Sequence, residues 1–113
     1  MVTKPGQQYH YTVKVSVTAN GDLLPDVDVT VNGTTRNWHF PKATNEVVFY
    51  LAILSCVIDA VANGAHSALV EIGNQTATRQ LNGSEKPRKK HIRALNEAVI
   101  ISGQALPGGL QVI

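Results

Sequence analysis

Cysteine is almost missing: Cys56 is the only one among 113 residues. That excludes an internal disulfide framework and any cage of several thiolates around zinc. Charge is sparse, with Asp, Glu, Lys and Arg at 16% of the chain against a usual share of about 25%. Aromatic residues reach only 5%, which is thin for a base-stacking platform. No apolar run approaches the roughly 20 residues of a membrane span. The longest, Val47 to Ala62, is broken by Ser55 and Asp59 and reads as a buried helix, so no membrane association is expected. The N-terminus lacks the apolar stretch of a secretory signal, which with the lone thiol points to a cytoplasmic setting. A glycine-rich phosphate loop is absent, and His10, His39, His66 and His91 are too scattered to pair as zinc ligands.

What is present suits one core. Hydrophobic residues make up 43% of the chain, enough to offset ordering entropy in a single domain of this length. A flexible leader is expected over residues 1–8 and one domain over residues 9–113. From Tyr9, apolar Tyr11, Val13, Val15 and Val17 alternate with Thr12, Lys14, Ser16 and Thr18, the period of a half-buried strand. Asn20-Gly21-Asp22 is turn chemistry. Val27, Val29 and Val31 form a second alternating run, and Asn32-Gly33 signals a tight hairpin into a third strand ending before Pro41. The period then changes. Thr44 or Asn45 can cap a helix running from about Glu46 to Ala62, closed by Asn63-Gly64. A strand over Ser67–Ile72, a short helix over Asn74–Leu81, a helix over His91–Ser102 and a terminal strand from Leu110 complete the chain.

Ala43-Thr44-Asn45 ahead of the long helix, Val70-Glu71-Ile72-Gly73-Asn74-Gln75 followed by Gln80-Leu81-Asn82-Gly83, and Lys90 to Gln104 before the last strand together resemble the ribonuclease H-like superfamily. The resemblance implies an α/β (α+β) fold: a five-stranded mixed sheet, its first three strands antiparallel, with three helices. It also implies two divalent metals held by carboxylates. Those positions fall here on Ser16 or Asn20, on Phe49 and on Gly73, and the fourth has no counterpart before Ile113. Magnesium needs hard anionic oxygens, which none of these residues supplies. The resemblance therefore implies a degenerate, non-catalytic member with no cofactor. A relocated carboxylate set of Asp22, Glu46 and Glu71 is the alternative that would restore a metal-dependent nuclease.

Positive charge is concentrated. Arg79, Lys86, Arg88, Lys89, Lys90 and Arg93 lie within fifteen residues, opposed only by Glu85. That segment carries +5 in a chain of net +2, leaving −3 on the rest. Such asymmetry suits phosphate contacts, which release counterions and give affinity without sequence specificity. RNA, DNA or an RNA–DNA hybrid is the expected partner, with these six cations as candidate contacts. A homodimer or protein partner held through the sheet and the central helix is the other reading, because the long helix is apolar on nearly every side. Cys56 and the aromatic residues read as core.

Overall fold

Alternation with β-branched residues builds the first half of the sheet. In the computed structural model, which describes residues 6–17, 23–40 and 44–113, β1 (Gln8–Val17) pairs antiparallel with β2 (Leu23–Val31), and β2 with β3 (Thr34–His39). The Asn20-Gly21-Asp22 turn and Pro41 lie outside the described residues. Tyr9, Tyr11, Val13, Val27, Val29 and Val31 are buried, while His10, Lys14, Asp26 and Asp28 between them are exposed. Register is therefore fixed by burial, since a slip of one residue would turn the apolar set to water. Asn32 and Gly33 have φ of 49° and 90°, the left-handed pair that a two-residue type I′ hairpin demands.

β1 starts at Gln8, and the backbone just before it is tied down. The Gly6 N–H donates to the Gly64 carbonyl, and the Gln7 carbonyl accepts from the His66 N–H.

Helix α1 (Asn45–Ala62) crosses back over the sheet, which sets β4 (Ser67–Glu71) parallel to β1. α2 (Gln75–Leu81) and α3 (Lys90–Gly103) follow, and β5 (Leu110–Val112) adds parallel to β4. The strand order is β3-β2-β1-β4-β5. Thr44 stands at the α1 N-cap without a side-chain bond. Asn74 caps α2, its side chain accepting from the Ala77 N–H at 2.9 Å.

Val31, Tyr11, Val70 and Val112 are registered in a row across the sheet and buried, as are Ala68, opposite Tyr9, and Ile72. α1 lies on this buried side, packed against β1, β2 and β4 below and against α3 beside it. By length and composition α1 could cross a bilayer; here it is the central core helix, with Val48, Tyr50, Ile53, Cys56, Val57 and Ala60 buried. The opposite sheet face is polar. His10 meets Glu71 at 3.1 Å and His39 meets Asp26 at 2.8 Å. Asn37 donates to Asp28 at 3.0 Å, and the Thr30 and Thr35 hydroxyls are 3.0 Å apart.

At the C-terminal half of α1, the fully buried Tyr11 donates its hydroxyl to Asp59 Oδ2 at 2.7 Å. Arg36 of β3 lies 3.4 Å from the other carboxylate oxygen. This cluster clamps the helix to the first and third strands.

Candidate nucleic-acid interface

The basic stretch begins where α2 ends. After the C-cap Asn82, Gly83 takes φ 82°, and the chain folds back so that the N–H groups of Ser84 and Glu85 both donate to the Arg79 carbonyl, at 2.9 and 3.3 Å. Residues 84–89 have no helix or strand, yet they are held at several points. Arg79 Nε is 3.7 Å from Glu85 Oε1, Lys89 Nζ is 3.0 Å from Glu46 Oε1, and Arg93 Nη2 donates to the Arg88 carbonyl at 3.3 Å.

Glu85 is positioned from the core. Buried Asn96 donates its amide to the Tyr50 hydroxyl at 3.1 Å, and Tyr50 donates to Gln80 Oε1 at 2.7 Å. Gln80 Nε2 then reaches Glu85 Oε2 at 3.5 Å. Burial pushes the Tyr50 phenol above its ordinary range; the bond from Asn96 opposes this, and the charges of Glu46 and Glu85 add to it. Tyr50 therefore stays protonated and remains a donor. Among the described residues, no buried side-chain nitrogen or oxygen lacks a partner, so this relay is complete.

All six cations singled out in the sequence are exposed. Lys86, Arg88 and Lys89 line one open groove of ≈ 470 Å³ with Glu46 and Glu85, floored by Thr76 and Gln80. Lys90 and Arg93 continue from it along the first turn of α3. The structure adds what the linear count missed. A second carboxylate, Glu46 from the start of α1, opposes the cluster, so Arg79 and Lys89 are each held in an ion pair. Among the described residues, Lys86, Arg88, Lys90 and Arg93 have no carboxylate within salt-bridge distance.

Of the positions carried over for metal ligands, Phe49 and the neighbour of Gly73 border one cavity, and neither is acidic. Half-buried Phe49 and Asn74, the residue after Gly73, line a small cavity of ≈ 190 Å³ beside the basic groove, sharing Glu46, Thr76 and Gln80 with it. Gly73 has φ 67° with open space where a Cβ would stand. Its backbone, not crowding, is what favours glycine there. The Ser16 side chain and Asn20 lie outside the described residues. A phenyl ring and a hydrogen atom cannot ligate magnesium, so the residues present at these two positions do not fit a two-metal centre.

Among the described residues the relocated set is not assembled either. Asp22 lies outside the described residues, Glu46 is engaged by Lys89, and Glu71 lies across the sheet, paired with His10. Among the described residues, no group of three or more His, Cys, Asp or Glu side chains converges. Cys56 is a buried free thiol, its pKa driven up first by burial and then by the charge of Asp59.

A mixed sheet in the order β3-β2-β1-β4-β5, crossed by a central helix between its third and fourth strands, defines the ribonuclease H-like fold, and this chain has it. No protein-family model and no curated protein matches the sequence; solved structures do. The N-terminal ribonuclease H domain of Rv2228c from Mycobacterium tuberculosis, solved as a fusion with maltose-binding protein, superposes with a TM-score of 0.75 at 18% identity, over 93% of this chain and 84% of that one. Ribonuclease H1 from the halophilic archaeon Halobacterium salinarum gives 0.71 at 16% identity, over 94% and 83%. LC11 ribonuclease H1, isolated from compost by a metagenomic approach and solved in complex with an RNA/DNA hybrid, gives 0.75 at 14% identity, over 93% and 83%.

Proposed function

We propose that this protein is a non-catalytic ribonuclease H-like domain that binds nucleic acid, with Lys86, Arg88, Lys90 and Arg93 on phosphates and Arg79 and Lys89 in the same surface. One observation carries the reading. Lys86, Arg88 and Lys89, on the loop tied back to the Arg79 carbonyl, line a groove that shares Glu46, Thr76 and Gln80 with the cavity lined by Phe49, a position that stands for a metal ligand. An RNA/DNA hybrid is the first probe to try, because a fold neighbour, LC11 ribonuclease H1, was solved with one. The lone buried thiol is compatible with a cytoplasmic setting.

The test is a binding titration beside a cleavage assay on the same hybrid. Four unpaired cations predict that log K falls with log salt at a slope of about −3.6. The double reversal K89E/K90E should abolish binding. A flat salt dependence would overturn the binding half of the proposal. Magnesium- or manganese-dependent cleavage of the hybrid would overturn the non-catalytic half.

A second reading has its own support. Val47, Leu51, Leu54, Ile58 and Val61 recur along α1 at spacings of four and three, and Ile58 and Val61 remain 54% and 38% exposed. That seam suits a helix of a second copy. Sedimentation of the wild type and of Ile58→Glu decides it: a dimer dissolved by the substitution supports self-association, and a monomer at every concentration refutes it.

A further inference from the structure

Of the six cations, Lys89 in the basic groove and Arg79 beside its Glu85 wall are already neutralised. Glu46 holds Lys89 at 3.0 Å, and Glu85 holds Arg79 at 3.7 Å. Neither carboxylate is a bystander of local sequence. Glu46 comes from α1, 43 residues away from Lys89, and sits in the first turn of that helix, where the macrodipole favours an anion. Glu85 is aimed by the Asn96–Tyr50–Gln80 relay. Both pairs are wet: the side chains of Lys89 and Glu46 are 60% and 46% exposed, and those of Arg79 and Glu85 are 49% and 41%. Exposed pairs of this kind are weak and exchangeable.

We infer that Glu46 and Glu85 are internal competitors for phosphate, occupying Lys89 and Arg79 in the free protein and setting a ceiling on affinity for nucleic acid. The inference rests on the phosphate-binding reading above. A duplex engages the unpaired Lys86, Arg88, Lys90 and Arg93 by releasing its own counterions. It gains Lys89 and Arg79 only by displacing a carboxylate, and that exchange releases no further counterion. The arrangement favours long polyanions, which can pay for the exchange through many contacts, over a single phosphate.

The experiment measures binding of an RNA–DNA hybrid across about 50 to 200 mM salt for wild type, E46Q, K89Q and E46Q/K89Q. D28N, on the far sheet face, is the control for net charge. E46Q should bind about two- to fivefold more tightly than wild type and steepen the salt slope by about 0.9. The gain should vanish in the K89Q background, and D28N should leave binding unchanged. E85Q should give a comparable gain through Arg79. If the wild type binds but E46Q does not tighten, or tightens equally without Lys89, the inference is overturned while the binding reading stands. If the wild type shows no salt-dependent binding at all, the binding reading falls first.

Discussion

Replacing Tyr50 by Phe removes one oxygen atom that joins the core to the basic loop. The ring is 1% exposed and its hydroxyl serves two partners. Asn96, 8% exposed, loses the acceptor of its amide at a buried position. Half-buried Gln80 loses a donor but can turn its oxygen toward solvent. The Asn96 amide therefore dominates, and leaving a buried polar group unmade costs about 1–3 kcal/mol. A central value of about 2 kcal/mol corresponds to a fall in Tm of roughly 8 °C for a domain of this size. Equilibrium unfolding in urea should show a lower midpoint with an unchanged m-value. The double variant Y50F/N96L should recover much of the loss, because removing both partners leaves nothing unsatisfied. A local consequence follows as well. With Gln80 unanchored, Glu85 loses its support, so the amides of Ser84 and Glu85 should exchange faster than in the wild type. Stability within about 0.5 kcal/mol of wild type, together with unchanged exchange at Ser84 and Glu85, would show that Tyr50 is not the link between core and loop.

Alkaline titration gives a second check. Burial raises Cys56, Tyr11 and Tyr50 above their ordinary values of 9.0 and 10.0. The unfolded chain therefore sheds these protons first while the native chain keeps them, so stability is full below about pH 9 and falls as pH rises, by about 1.4 kcal/mol per pH unit for each group engaged. In Cys56→Ala the decline should begin a unit later, read from urea midpoints between pH 8 and 10.5; an unchanged onset would refute the assignment. Asp59→Ala should cost about 1–2 kcal/mol, because the Tyr11 hydroxyl loses a charged acceptor while the C-terminal part of α1 loses an ill-placed anion. The cost should largely disappear in a Y11F background. A substitution at Gly108 is expected to destabilise, since a Cβ there would lie 2.6 Å from the His66 ring and 3.0 Å from Ser67 Cβ; thermal unfolding of Gly108→Ala measures it.

The sequence by itself determined the layers. Alternation in β1 and β2, the Asn32-Gly33 turn and the apolar stretch of α1 state which faces are buried, because periods of 2 and 3.6 are properties of local backbone geometry. The crossover rule then made β4 parallel to β1. It also determined that Phe49 and Gly73 carry no acid. What only the tertiary structure decided is which distant side chains meet. Glu46 with Lys89, Tyr11 with Asp59, and Tyr50 with Asn96 are separated by 43, 48 and 46 residues, and nothing in the neighbourhood of either partner announces the other. Those pairings arise because α1 lies across the sheet with α3 at its side, bringing the N-terminal turns of both helices to one end of the molecule. The same geometry parts Glu46 from Glu71: one stands on the helix layer, and the other alternates with buried Val70 and Ile72 onto the opposite face of β4. A count of charge along the chain found the basic surface, but only the folded chain shows that a third of its cations are already engaged.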